Sequence, residues 1–228
     1  MRVLALDTCT RAGSVALLQD GALVGAYVLD VTATHSERLL PSIDRLLADA
    51  GWKVDGLDLI ACAKGPGSFT GLRIGLSTAK GLAFAAHKPL VGVDSLEATA
   101  LGFGYGATAI CPMIDARKRQ VFAALFAPDG QGGVARLRED ESVRAEAYAR
   151  GVEGPCLFVG DGAELFAAEI AAAKPDALLV PAARCVPRAA AVGLLGARQF
   201  REGERGLVAH YVRASDAELN PKLAEKES

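Results

Sequence analysis

Leu59-Ile60-Ala61-Cys62-Ala63-Lys64-Gly65-Pro66-Gly67-Ser68-Phe69-Thr70-Gly71-Leu72-Arg73-Ile74-Gly75, residues 59–75, runs from an apolar stretch through a glycine-rich loop into a helix-forming segment. The pattern predicts a short strand over 57–63 and a long helix ending near Ala86, where His87-Lys88-Pro89 stops it. Strand, glycine loop and helix in that order put backbone N–H groups at a helix N-terminus, a place that favours anions. The loop nevertheless fails both standard phosphate patterns. GxGxxG requires glycine where Thr70 stands, and GxxxxGK[ST] requires Gly-Lys where the chain has Thr70-Gly71.

Upstream, Val3 to Leu6 reads as a buried strand, followed by the polar turn Asp7 to Gly13 and a second strand over 14–19. Asp20-Gly21 is a hairpin signal, and residues 22–30 return as a third strand. Ser36 reads as the N-cap of a helix with the apolar stripe Leu39, Leu40, Ile43, Leu46, Leu47 and Ala50, ended by Gly51. Pro41 falls inside that helix and is expected to kink it or delay its start.

Downstream, Leu90 to Val93 is a strand and Ser95 caps a helix to about Leu101. Gly102-Phe103-Gly104-Tyr105-Gly106 then marks a lobe boundary. Beyond it the chain starts again: a strand over 109–114, the charged turn Asp115-Ala116-Arg117-Lys118-Arg119, a strand over 120–126 and a turn at Asp129-Gly130. A strand over 157–159 then leads into Gly160-Asp161-Gly162 and an alanine-rich helix. Both halves open with antiparallel strands and continue as alternating helix and strand. That duplication predicts an α/β protein of two mixed-sheet lobes, 1–106 and 107–228, not a Rossmann domain or a TIM barrel. The polar tail over 215–228 reads as solvent-facing.

Composition narrows the function classes. The 228 residues carry 25 Lys+Arg against 27 Asp+Glu, so no global basic field drives nucleic-acid or membrane-surface binding. With 51% apolar residues the chain folds, and with 6% aromatics it offers little for base stacking. No apolar run reaches the length of a membrane span and the N-terminus lacks signal-peptide character, so a cytoplasmic location is expected. Cys9, Cys62, Cys111, Cys156 and Cys185 contain no CxxC and sit mostly in apolar runs, the pattern of buried thiols in a reducing compartment. His35, His87 and His210 form no HxxxH or HExxH pair to seat a metal on one helix face.

Several segments leave two readings open. Gly71, Gly75 and Ala79 recur at four-residue spacing, and each interior glycine weakens a helix by about 1 kcal/mol relative to alanine. Close packing compensates, either within the lobe or across a subunit boundary. Asp7 either orients a metal or water, or closes a turn on its own backbone. Arg117-Lys118-Arg119 either contacts phosphate or is a solvated hairpin tip. Gly160-Asp161-Gly162 either approaches a nucleotide or simply turns a strand into a helix. Asp7, Gly65 and Gly67 are the candidates for any residual nucleotide binding.

Leu4-Ala5-Leu6-Asp7-Thr8-Cys9-Thr10, His35-Ser36-Glu37-Arg38-Leu39-Leu40-Pro41 and Gly65 to Gly75 together resemble the TsaB (YeaZ) family over nearly the whole chain. Ala79-Lys80-Gly81-Leu82-Ala83, Val91 to Glu97, Asp115-Ala116-Arg117 and Tyr211-Val212-Arg213 extend the resemblance. It implies the two-lobed actin/sugar-kinase/Hsp70-like (ASKHA) fold, and a dimerisation subunit of the bacterial tRNA threonylcarbamoyladenosine synthase. It also implies two partners, the catalytic paralogue TsaD and the ATPase TsaE, with a homodimer when the chain is alone. The tRNA is then the substrate of the complex and has little direct contact with this chain. TsaD carries a His-x-x-x-His metal pair where this sequence has Ser95 and Thr99, and hydroxyls are poor transition-metal ligands. The resemblance therefore implies a non-catalytic subunit holding no cofactor, with metal and nucleotide in the partner subunits. The expected partner interface is His35, Leu39, Ile43, Leu46, Gly71, Leu72, Gly75 and Leu76, an apolar stripe beside small residues. An ATP-dependent phosphotransferase built on Asp7 and the Gly65–Gly67 loop, and a metallopeptidase, are the competing readings. The first lacks the phosphate patterns and the second lacks metal ligands.

Overall fold

Asp20 and Gly21 both take left-handed backbone (φ 51° and 84°), and this turn folds strand β2 (Gly13–Gln19) back along β3 (Ala22–Leu29). Our computed structural model of the chain describes residues 1–29, 35–105, 108–181 and 188–212. The side chains of Leu29 and His35 fall outside that description, as do Gly106, Cys185, Arg213 and the tail over 215–228.

Strand β1 (Arg2–Asp7) pairs antiparallel with β2 and parallel with β4 (Leu59–Gly65), which pairs parallel with β5 (Leu90–Asp94). The first sheet therefore runs β3-β2-β1-β4-β5. After helix α3 (Ser95–Leu101) the same plan repeats in β6 (Ala109–Arg117), β7 (Gln120–Pro128) and β8 (Val134–Val143), an antiparallel meander. Strands β9 (Cys156–Val159) and β10 (Leu178–Leu179) then add in parallel beside β6, giving the order β10-β9-β6-β7-β8. Each sheet is thus a three-strand meander extended by two parallel strands from its first strand, which is the duplication expected of an ASKHA-like fold.

Period-two alternation places the cores. In β6, Cys111 and Met113 face one side with Tyr148 and Phe158, while Ile110 and Ile114 face the other with Leu96 and Phe126. The first side is covered by α4 (Ala145–Arg150), α5 (Asp161–Leu165) and α6 (Ala167–Ala173). Helix α3, through Leu96 and Ala100, covers the second side and joins the lobes.

Helices α1 (His35–Asp49) and α2 (Phe69–Ala86) lie on one face of the first sheet. Helix α1 begins one residue before the expected Ser36 cap, and Pro41 does not delay it. Pro41 lies in the second turn, and the residue four before it, Glu37, is exposed, so the proline removes no buried backbone bond there. Helix α2 starts at its N-cap Ser68, whose hydroxyl accepts from the Gly71 N–H at 3.3 Å, and ends on His87 in left-handed backbone. Helix α3 is capped by Asp94, whose carboxylate accepts from the Glu97 N–H at 2.8 Å. Ser95, the expected cap, is instead the first helical residue and fully buried.

The last helix among the described residues departs from the expected division at 106/107. Helix α7 (Arg188–Arg201) returns to the first lobe and lies on the open face of its sheet, with Ala189, Val192, Leu195 and Ala197 joining that core. Small residues make the contact possible. A methyl at Gly196 would stand 2.6 Å from Ala61 Cβ, and one at Gly193 would overlap Leu18. Segment 204–212 then follows β5, with Gly206 bonded to Leu90 and Gly92 and the His210 N–H bonded to the Lys64 carbonyl at 2.7 Å. The second lobe is thus an insertion between α3 and α7, because the chain's end buries its apolar face on the sheet where the chain began.

Candidate functional site

The polar turns of both lobes converge where β1 ends. Asp7 is buried, and its Oδ1 accepts from the Cys9 N–H at 2.8 Å, the self-closing turn that was one of the two sequence readings. Its Oδ2 lies 3.3 Å from Arg188 Nε, at the first residue of α7. Arg188 also donates to Thr10 Oγ1, and the Ala189 N–H donates to Ser14 Oγ at 3.1 Å. The β1–β2 turn therefore anchors the start of α7. Sequence patterns gave no sign of this pairing, since Asp7 and Arg188 are distant in the chain and no spacing rule links them.

Asp161, on α5 at the matching turn of the second lobe, is held above the ordinary carboxylate range. Burial is the largest cause, the charge of Arg188 opposes it, and Asp115 adds to it. The glycines beside it serve backbone approach. Gly160 takes φ 101°, and side chains at Gly160 or Gly162 would collide with the β6 backbone at Met113 and Ile114. The bulky turn Arg117-Lys118-Arg119 has three consecutive left-handed residues (φ 61°, 52° and 59°) and stands exposed. Arg117 pairs with Asp115 at 3.2 Å and Arg119 with Glu169 at 3.5 Å.

The glycine-rich loop is packed against its own chain. A side chain at Gly65 (φ 110°) would collide with the His210 carbonyl, and one at Gly67 with the Cys9 carbonyl. The Ser68 N–H is already bonded to that Cys9 carbonyl at 2.7 Å. Ser95 and Thr99 are likewise engaged. The Ser95 hydroxyl donates to Cys9 Sγ at 2.9 Å, and the Thr99 hydroxyl donates to the Ser95 carbonyl at 2.8 Å. Cys9, Cys62, Cys111 and Cys156 are free buried thiols, and burial raises all four, Cys156 to about 12.

The expected interface residues are placed differently from the sequence reading. Leu39, Ile43, Leu46, Leu72 and Leu76 are buried in the first lobe's core, as are Gly71 and Gly75. An amphipathic stripe reports burial without saying against what, and here the sheet takes it. The exposed residues of the same helices include Leu40 on α1, 48% exposed, and Ser77, Gly81 and Phe84 on α2, the last 83% exposed. Gly75 faces Thr8 and Cys62 on the sheet.

Comparison with known proteins agrees with this architecture. The family model described as TsaD: tRNA N6-adenosine threonylcarbamoyltransferase matches residues 30–205. The tRNA threonylcarbamoyladenosine biosynthesis protein TsaB of Bacillus subtilis (strain 168) is 31% identical over 222 residues, 96% of each chain. The chain belongs to the TsaB family. The solved structure of YeaZ from Pseudomonas aeruginosa superposes with a TM-score of 0.78 at 29% identity, covering 92% of this chain and 99% of that one. A ROK hexokinase from Thermus thermophilus shares the fold alone, with a TM-score of 0.50 at 13% identity over 89% of this chain and all of that one. Among the described residues of this TsaB-family chain, no helix is long and apolar enough to cross a membrane.

Proposed function

We propose that this chain is a non-catalytic subunit of a tRNA threonylcarbamoyladenosine synthase, pairing with the catalytic paralogue TsaD while the ATPase TsaE joins the complex. The observation that carries the reading is the donor set at Ser95 and Thr99. Where the resemblance to TsaD calls for two imidazoles, two buried hydroxyls are committed to Cys9 and to the helix backbone. The Asp7–Arg188 pair adds support. A guanidinium from α7 occupies the first-lobe carboxylate that would otherwise be open to a metal or water. Metal and nucleotide chemistry then reside in the partner subunits, and this cytoplasmic chain makes little direct contact with tRNA.

Pairing runs through the outward faces of α1 and α2, centred on Leu40 and Phe84. Burying an exposed phenylalanine contributes about 1.5–3 kcal/mol, and aromatic side chains near the centre of an interface dominate its energy. Without TsaD the same patch pairs with itself about a two-fold axis.

The test mixes the chain with TsaD, follows complex size by chromatography, and assays modification of tRNA with threonylcarbamoyl adenylate supplied as the group donor, together with ATP and TsaE. Modification is expected only with all three proteins. Phe84→Asp is expected to weaken the complex at least tenfold while leaving the chain folded. Full modification with the chain omitted would refute the subunit role. An unchanged complex with Phe84→Asp would refute only the placement of the interface.

A further inference from the structure

Three segments that are remote in sequence bring metal-ligating side chains together at the N-terminal end of α3. Asp94 ends β5, Asp140 lies on β8 of the second lobe, and His210 belongs to the terminal segment. One carboxylate oxygen from each aspartate and a ring nitrogen of His210 all lie within 4.8 Å of one another. His210 Nε2 is already 3.0 Å from Asp140 Oδ2. Both carboxylates are largely shielded, with side chains 13% and 7% exposed, while His210 is 44% exposed and open to entry from solvent.

We propose that Asp94, Asp140 and His210 bind a divalent transition-metal ion of the zinc class, which ties the second lobe to the first. The donor chemistry fits, because imidazole with carboxylate is a common zinc set and three protein ligands leave a fourth position for water. Ligand atoms around a tetrahedral zinc stand about 3.3 Å apart, given bonds of about 2.0–2.1 Å. Closing from the present separations therefore takes side-chain movements of about 1 Å.

Arg136 orients the site. Its guanidinium bonds Asp140 Oδ1 and lies 3.3 Å from Asp94 Oδ1, so it holds the Oδ1 atom of each aspartate and leaves each Oδ2 to turn towards His210. Hydrogen-bonded carboxylates of this kind are the usual outer support of a metal ligand. Arg136 is the cation in direct contact with the two carboxylates, and the neighbouring Glu97 is itself faced by Arg136, Arg198 and Lys64. His210 is held in place by its backbone. Its N–H is bonded to Lys64, and Leu207 packs on Gly92, where a methyl would stand 2.7 Å away.

These residues answer the absence of a HxxxH pair noted in the sequence. A site assembled from a strand end, an edge strand and a terminal segment has no short-range signature. It also departs from the expectation that the chain holds no metal, although a tie between lobes is a structural role, and it stands whether or not the subunit reading does.

The test uses the full chain, stripped with chelator and dialysed, titrated with Zn²⁺ by calorimetry and with Co²⁺ by its visible absorption. One ion per chain is expected, with a Co²⁺ spectrum of low coordination number and a rise in Tm on adding Zn²⁺. His210→Ala and Asp140→Asn are each expected to weaken binding at least tenfold, whereas His87→Asn leaves it unchanged. Because His210 is half-exposed, His210→Ala keeps the protein folded even if Asp140→Asn does not, and circular dichroism checks both. No stoichiometric binding, or binding equally tight in folded His210→Ala, would overturn the proposal and leave the cluster as an ion-pair clasp built around Arg136.

Discussion

Gly75→Ala and Gly81→Ala make the same chemical change in the same helix and are expected to act with opposite sign. Helix propensity alone favours both by about 1 kcal/mol. Gly81 is exposed, and a methyl there meets nothing within 4 Å, so this variant should gain that amount. At Gly75 a methyl would overlap Thr8 Oγ1, well inside any real contact. Thr8 is 2% exposed, and its hydroxyl donates to the Gly71 carbonyl at 2.7 Å. Relief requires Thr8 to rotate away, which leaves a buried hydroxyl without its partner at about 1–3 kcal/mol. Otherwise α2 must lift from β1, an overpacking penalty of about 1–3 kcal/mol. Off-rotamer strain at Thr8 adds about 0.5–1.5 kcal/mol. After subtracting the propensity gain, Gly75→Ala should lose about 1–3 kcal/mol.

For a chain of this size 1 kcal/mol moves Tm by about 2–4 °C. Calorimetry at two protein concentrations should therefore show Gly81→Ala melting a few degrees higher and Gly75→Ala about 2–12 °C lower. The two concentrations separate stability from self-association through the α2 face. Thr8→Ala removes the oxygen and leaves a carbon at an ordinary 3.5 Å from the new methyl. In that background the Gly75→Ala penalty should largely vanish, giving a coupling above 1 kcal/mol. Stabilisation by Gly75→Ala equal to that of Gly81→Ala, or strict additivity with Thr8→Ala, would refute the account of this glycine.

Two further outcomes follow from buried polar groups. Tyr148 is 2% exposed and its hydroxyl has no partner among the described residues, so Tyr148→Phe should stabilise by about 1 kcal/mol in denaturant unfolding, with the Arg138 guanidinium still stacked on the ring at 4.1 Å. Asp161 titrates above its ordinary value when folded, so its ionised form is worse off in the fold than in the unfolded chain. Asp161→Asn should therefore stabilise at neutral pH, and the gain should close as pH falls through the raised carboxyl range towards the unfolded value. A difference that is flat with pH would contradict this assignment.

Local pattern carried much of the architecture. The hairpin at Asp20-Gly21, the α2 stop at His87 and the restart of strands after Gly104 are all read from neighbouring residues, since turn chemistry and periodicity act over a few positions. Strand β8 is not legible in the local pattern, for a physical reason. Val134 to Val143 is an edge strand crowded with Arg136, Arg138, Glu139, Asp140 and Glu141, and charge on an edge strand conceals its alternation. Helix α7 has no counterpart among the elements read from the sequence, and its place in the first lobe is not a local property either, because nothing local records which sheet a helix will cover.

The sequence by itself determined the family, the duplicated two-lobe plan and the absence of histidine at Ser95 and Thr99. Those are properties of residue order. Tertiary structure alone decided that the leucines of α1 and α2 face their own sheet, leaving Leu40 and Phe84 outward, because a hydrophobic stripe is blind to its partner. It also decided that Arg188 meets Asp7 and that His210 meets Asp140. Such pairs are set by how α7 and the terminal segment fold back over the first sheet, and electrostatic contact depends on distance in space, not on spacing along the chain.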